Sequence, residues 1–358
     1  MEVSRIFPKY GLVPVQDENK NPLPTRFPMR VTGIVLLLFF ALAVTEGTVG
    51  FAQQAAEKSA VATPPKVGAT ETQNRPVFGR TDPAKFKDAP KAHGGAGVFK
   101  YMELLGGDVF KTNILFVHRG VIPPHAGIGE HLHRNMEEMF FIFNGRAQFT
   151  VNGHTAELPG RSMVLCSAGF SHGIYNDTDQ DVQWMNVGVG MVKGKYDNVD
   201  YGDDLSKAVV ESPAPFLWGN LDRILLNPVS GAHGGAGTLL FRRIWSKSAF
   251  KTPWYFVDHC LLPPGTSIGY HQHNSIEEIY YIVEGSGLST VNGLTFAVKA
   301  GDAIPCTVTD SHGIYNNSKE NLEVMVVCAQ YPQATDTDRN WGDDLSKRQI
   351  TKETPVMK

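Results

Sequence analysis

Cysteine is scarce in this chain. Cys166, Cys260, Cys306 and Cys328 are the only four in 358 residues, too few for a disulfide framework. The core must therefore hold without covalent staples. Bias toward one charge is also missing: the net charge is −3, from 33 basic and 36 acidic residues mixed along the sequence. That excludes the basic stripe of a nucleic-acid or anionic-membrane surface. Amphipathic helices longer than a few turns are lacking. So is any apolar run long enough to span a bilayer, since the most apolar stretch, Ile34 to Val44, is too short.

That stretch follows Arg30 and precedes small and polar residues, with Gly50-Phe51-Ala52 as a cleavage context ahead of Gln53. This is the pattern of a secretory signal, initiating at Met29. Residues 1–52 are thus read as a signal region of a secreted or periplasmic protein, with an uncleaved anchor as the competing reading. Residues 53–84, dominated near their start by Ala, Lys, Thr and Pro without periodicity, read as a flexible tether. After signal removal nothing points to a membrane.

What is plentiful is glycine, 36 residues, with 22 prolines beside it. Turn formers at this density favour many short strands. The sequence also repeats itself. Lys91-Ala-His-Gly-Gly-Ala-Gly97 recurs in Gly231-Ala-His-Gly-Gly-Ala-Gly237, Ser171-His-Gly-Ile-Tyr-Asn176 in Ser311-His-Gly-Ile-Tyr-Asn316, and Gly202-Asp-Asp-Leu-Ser-Lys207 in Gly342-Asp-Asp-Leu-Ser-Lys347, always 140 residues apart. Gly160 and Gly301 stand 141 apart, which reads as one inserted residue. A unit this long is a domain rather than a solenoid repeat, giving two, at 85–210 and 225–350. Within each, Val-Asn-Gly at 151–153 and 291–293 marks a hairpin. Apolar runs such as Met139 to Phe143 and Ile279 to Val283 have strand length. The fold class is all-β, as sandwiches or barrels.

His131 and His133 are separated by one residue, so on a strand both imidazoles share a face. Glu138 follows, and His172 lies beyond the hairpin; the second unit repeats the set as His271, His273, Glu278 and His312. Three imidazoles and a carboxylate suit one divalent metal per unit, with Mn or Fe favoured and Zn, Ni or Cu open. Two copies at matched spacing make satisfied core histidines the weaker explanation.

At these residues the chain resembles the cupin superfamily, and specifically its bicupins, the germin, oxalate decarboxylase and quercetin dioxygenase-like proteins. Gly265, His271, His273, Glu278 and Gly285 fit the first cupin motif in full. His131, His133, Glu138 and Gly145 fit it with His125 in place of the opening glycine. His172 with Asn176, and His312 with Asn316, end the second motif, whose internal Pro-x-Gly is degraded. The resemblance implies two tandem double-stranded β-helix (jelly-roll) barrels with a metal near one mouth of each. It also implies Glu138 and Glu278 as catalytic groups that leave the metal to take a proton. Glu137 and Glu277, on the other face, are expected to be solvated or interfacial.

Other residues carry competing readings. Cys166 and Cys306 are read as small buried residues rather than thiols at the metal, and Cys260 and Cys328 as free. Tyr175 and Tyr315 are either donors to a bound substrate or packed tyrosines. The glycines around His93 and His233 read as domain-interface turns, with the two histidines as extra ligands the lesser option. The Gly-Asp-Asp-Leu-Ser-Lys segments read as a helix cap or an interdomain clamp. Phe140, Ile142, Tyr280 and Ile282 are expected to line the sites. Oxalate decarboxylases usually carry an arginine three residues before His-x-His; Ile128 and Ile268 stand there, which lowers the oxalate reading. The expected partner is a small oxygen-rich substrate, a carboxylate or enol, oxygenated or decarboxylated. A metal-dependent lyase or isomerase, and a non-catalytic binding or storage protein, are the alternatives. A homo-oligomer is left open.

Overall fold

The computed structural model describes residues 75–342 and 344–358, with Asp203 described by its backbone alone. The signal region and residues 53–74 of the tether lie outside the described residues. The remainder is strand and loop with seven short 3-10 turns.

Each unit is a pair of packed sheets. In the first, a seven-stranded sheet faces a five-stranded one; in the second, an eight-stranded sheet faces another of five. Hairpins at Asn152-Gly153 and Asn292-Gly293 hold both residues at positive φ, 54° and 78°, then 49° and 82°. Such two-residue turns match the right-handed twist of their strands. The two small sheets contain the hairpins Arg146–Val151 with His154–Pro159 and Ser286–Val291 with Leu294–Lys299.

The apolar runs are uninterrupted because their strands are covered on both faces. Every residue of Met136–Ile142 is buried. Phe140 and Ile142 point into the first barrel's interior, beside Ile128, Phe149 and Trp184. Met139 and Phe141 point the other way, into a third core shared by both barrels with Trp254, Ile279, Tyr281 and Met325. The second barrel's interior is built likewise around Phe256, Tyr280, Ile282 and Val324.

Glu137 and Glu277 lie in that shared region, fully buried. The Glu137 carboxylate accepts from the backbone N–H groups of Lys251 and Thr252 and from the Thr252 hydroxyl at 2.8–3.1 Å. Glu277 accepts from Lys111 N, Thr112 N and the Thr112 hydroxyl at 2.6–3.0 Å. They are interfacial, as one reading of the sequence has it, and not solvated.

The tether reading is corrected at its end. Val77–Arg80 is a strand, and it pairs with Asp302–Cys306 of the second barrel. Its counterpart Trp218–Asn220 pairs with Ser162–Cys166 of the first barrel. Each unit thus lends its leading strand to the other's sheet edge. A four-residue strand paired more than two hundred residues away leaves no local periodicity to read. A last strand, Val356–Met357, runs parallel to Val77–Arg80.

The inserted residue also disappears. Both the strands before the turn and those after it keep the 140-residue offset. Arg161, at φ 68°, occupies the left-handed position that Gly301 holds at φ 89°. His125 at φ 56° likewise stands where Gly265 takes φ 79°. The turns persist and only their residues differ, at a local cost of about 1–2 kcal/mol for a side chain in that region.

Candidate metal centres

In the small sheet of the first unit, Gly127–Leu132 pairs with Ser171–Tyr175 so that His131 and His172 stand directly opposite. Glu138 reaches them from the facing sheet, and His133 follows its strand by one residue. The second unit pairs His271 with His312 and faces them with Glu278. In each set the ligand atoms lie within 4.8 Å of one another, and all eight residues are buried. The structure therefore gathers the four residue types named from the sequence at one end of each sandwich.

Orientation is fixed from behind. The Nδ1 atoms of His131 and His271 face the carbonyls of Gly129 and Gly269 at 2.8 Å. Those of His172 and His312 face the carbonyls of Phe170 and Asp310 at 3.4 and 3.2 Å. His133 Nδ1 meets the Asp197 carbonyl, and His273 Nδ1 the Asp336 carboxylate at 2.9 Å. A proton on each Nδ1 leaves each Nε2 with a lone pair directed inward, the arrangement of metal-bound histidine. Inside, Nε2 of His133, His271 and His273 is buried without a hydrogen-bond partner. Buried unpartnered nitrogens around a carboxylate are costly unless a cation completes them. The residues fit one divalent metal per barrel.

The electrostatics agree. Burial pushes His131 down to about 2, with His172 adding to the effect. His271 is held well below its ordinary value by burial and by His312. Burial would raise Glu278, but the contact with His312 and the neighbouring His273 and His233 together outweigh it, and the carboxyl falls to about 2. At neutral pH each site therefore offers an ionised carboxylate and an imidazole kept neutral by burial, at His131 and at His271. Burial would lower His133 and His273 too, but Glu138 beside the first and Asp336 beside the second raise them instead, so metal binding competes there with a proton.

The carboxylates are held differently in the two barrels. Asn186 donates to Glu138 Oε2 at 3.0 Å. Val326 stands at the corresponding place in the second barrel, where the Tyr280 phenol lies beside Glu278 and is raised well above its ordinary value, chiefly by burial and then by that charge. Phe140 and Tyr280 meet His172 and His312 edge-on at 5.3 and 5.6 Å, so two of the four expected lining residues touch the ligands. Ile142 and Ile282 lie in the interior cores beyond them.

His93 and His233 are not ligands. Each lies flat on a ligand ring, His93 on His131 and His233 on His271, both at 3.8 Å and within 9° of parallel. Their Nδ1 atoms meet Asp200 at 2.5 Å and Asn340 at 3.0 Å. The interface-turn reading is corrected too: Gly95 and Gly235 press on their own barrel's ligand strand, where a Cβ would come within 2.5 Å of backbone.

The closing motif caps rather than clamps. Asp344 accepts from Ser346 N at the start of a 3-10 turn. Leu205 and Leu345 fill the space above Gly173 and Gly313 of their own barrels. Asn176 and Asn316 are turn staples, each donating to two carbonyls at 2.7–2.8 Å. Tyr175 and Tyr315 lie an odd number of residues from His172 and His312, on the opposite strand face, so the donor reading falls.

Cys166 is paired across the sheet with Glu138, and Cys306 with Glu278. Burial pushes both thiols well above their ordinary value, which keeps them neutral beside the metal carboxylate. All four cysteines are free.

The sequence reading missed Asn186, His118 and Tyr196. Phe116, His118 and Asn186 form part of one inner wall, with Tyr196 at 5.3 Å from His133. Alternation along Ile114–Ile122 places Phe116 and His118 on the face with Ile122, and this was the only available signal.

Comparison with known proteins gives three findings. The family described as Cupin domain matches residues 118–188 and 258–328. An oxalate-binding protein of Thermotoga maritima is 35% identical over 99 residues, 28% of this chain and 82% of that protein. Among solved structures, a mutant of Bacillus subtilis oxalate decarboxylase superposes with TM-score 0.53 at 15% identity, covering 76% of this chain and 81% of that one. Salicylate 1,2-dioxygenase from Pseudoaminobacter salicylatoxidans, in adducts with gentisate, gives 0.50 at 16%, covering 64% and 73%. At such identities the two structures speak to the fold alone.

Proposed function

Since this chain belongs to the cupin family, as a bicupin with one metal-binding barrel in each half, we propose that it is an exported metal-dependent enzyme. It acts on a small carboxylate- or enol-bearing compound, by oxygenation or decarboxylation. The observation that carries this reading is the donor set: inward-facing Nε2 atoms, three of them buried and unpartnered, around an ionised carboxylate. Thiolates are absent from both sets, and nitrogen with carboxylate oxygen suits Mn or Fe. A structural metal is more often closed by sulfur.

His131, His133, His172 and Glu138 would hold one metal, and His271, His273, His312 and Glu278 the other. Such a metal, when bound, supplies Lewis acidity and a place for substrate oxygens. The chain's own residues then orient and dry the site: Phe140 and Tyr280 cover one side, and Asn186 steadies Glu138. Glu138 and Glu278 are the groups positioned to accept a proton from a substrate, being ionised and buried. Binding without turnover is the second reading, favoured by the likeness to the oxalate-binding protein of Thermotoga maritima.

The test is reconstitution under anaerobic conditions with Mn(II) or Fe(II), then a panel of small acids, enols and flavonols with oxygen uptake and carbon dioxide release followed. Turnover lost in Glu138→Ala or Glu278→Ala with metal retained supports the enzyme reading. Equal activity with Zn(II) would replace it by a lyase, and tight binding without turnover by a binding protein.

A further inference from the structure

The two metal sets match, but the walls beside them do not. Across the large sheet of the second barrel, Glu278 is paired with Cys328, and Cys328 with Phe256. Phe256 therefore lies in the row of the metal carboxylate, two strands over on the same inner face. The guanidinium of Arg243 lies over the Phe256 ring, 4.1 Å from its centroid. In the first barrel the corresponding row is Glu138, Gly188 and Phe116. There the ring of His118 lies over Phe116 at 4.3 Å and 6°. Beside that phenylalanine the cross-strand pair is Arg243 with Asp258 in the second barrel and, at the 140-residue offset, Glu103 with His118 in the first, so a guanidinium is present in one barrel and none in the other.

Arg243 is held there by construction. Its Nε and Nη2 donate to the two oxygens of Asp258 at 2.8 and 2.9 Å. Asp258 is buried, 6% exposed in its side chain, whereas the Arg243 side chain keeps 33% of its surface. The fork used on Asp258 leaves Nη1 and its two hydrogens for another acceptor, and a fixed planar guanidinium matches a carboxylate. Arg243 is also close enough to Glu278 to be influenced by its charge. His118 has no such fixed charge: burial pushes it down to about 4, so it is neutral at neutral pH.

We infer that the second barrel carries an anion subsite at Arg243, which takes a carboxylate of the compound held at its metal, and that the first barrel, with Glu103 and His118 in the places of Arg243 and Asp258, takes uncharged or singly chelating compounds. The two barrels would then divide ligands by charge. This rests on the reading that each centre holds a metal and a small oxygen-rich compound.

The test uses the full chain in two single-site forms. His131→Ala with His133→Ala leaves the second centre, and His271→Ala with His273→Ala leaves the first. Each is loaded with Mn(II) and titrated with oxalate, with the change in the Mn(II) electron paramagnetic resonance signal as readout. The second centre should bind oxalate at least tenfold more tightly than the first. Arg243→Gln together with Asp258→Asn removes both charges, avoids an orphaned buried carboxylate and should cost tenfold or more. Equal affinities at the two centres, or an unchanged affinity in that double variant, would overturn the inference while leaving the metal reading standing. Failure of Mn(II) to bind either form would overturn both.

Discussion

Replacing Glu277 with alanine removes the acceptor for four donors at once. They are Lys111 N, Thr112 N and the Thr112 hydroxyl, at 2.6–3.0 Å, and Val308 N at 3.3 Å. Glu277 and Thr112 are fully buried, so water cannot readily replace the lost oxygens. A net hydrogen bond to a charged group contributes roughly 1.5–3 kcal/mol, and an unmade buried donor costs roughly 1–3 kcal/mol. These terms overlap, and breaking one side of a buried charged contact costs about 3–5 kcal/mol overall. That is a large part of the ~5–15 kcal/mol that holds a typical protein folded. The assay is urea unfolding followed by tryptophan fluorescence, since Trp245 and Trp254 sit in the shared core. The midpoint should fall and the interface tryptophans should report loss of docking before the far-ultraviolet strand signal is lost. Glu137→Ala should behave alike, because its contacts to Lys251 and Thr252 mirror those of Glu277. Glu277→Gln, which keeps one carbonyl oxygen, should fall between. A loss under about 1 kcal/mol in either alanine variant would refute the reasoning, because an exposed or water-compensated carboxylate is worth no more than that.

Three further outcomes are expected. Elemental analysis should find two divalent metals per mature chain, and His131→Ala with His133→Ala should lower this to one; retention of both would refute the ligand assignment. Glu323 is buried against His259, Arg223 and Arg161, and although burial raises its carboxyl these partners bring it down to about 2. A depressed carboxyl stabilises above its unfolded value and loses that contribution as pH falls, so on the order of 3 kcal/mol should disappear between about pH 4.5 and 2; thermal melts in that window should be flatter in Glu323→Gln. Mass spectrometry of exported protein should find the mature N-terminus near Gln53, and an intact Ile34–Val44 segment would refute the secretion proposal.

The repeats, the hairpins and the eight metal-site residues could be read directly because each is a local pattern. Asn-Gly fixes a turn, His-x-His fixes a face, and duplication removes coincidence. What escaped was non-local. Nothing near Val77–Arg80 signals a partner at Asp302–Cys306, and nothing beside Glu277 signals Thr112. The uninterrupted Met139 to Phe143 run suggested a strand but not its two separate cores, since a face turned to the partner barrel and one turned to the interior are equally apolar. His93 was visible as a repeated histidine. Its stacking on His131 needs a left-handed backbone, φ 51°, which sequence spacing does not encode. The Gly160 to Gly301 offset misled because glycine was taken as the marker of the turn, whereas Arg161 takes the same conformation.

The exchanged leading strands have a consequence for how this chain could be divided. A cut in the segment between the units would release a half whose own first strand belongs elsewhere, and whose strand Ser162–Cys166 or Asp302–Cys306 has lost its outer partner. Open strands of that kind seek pairing. Two copies of one half could satisfy each other by the same loan, since in the tandem chain the loan is already reciprocal. The tandem chain is in this sense a strand-swapped dimer made covalent, with a joining segment that keeps the two lenders at fixed stoichiometry and frees each half to alter its own wall.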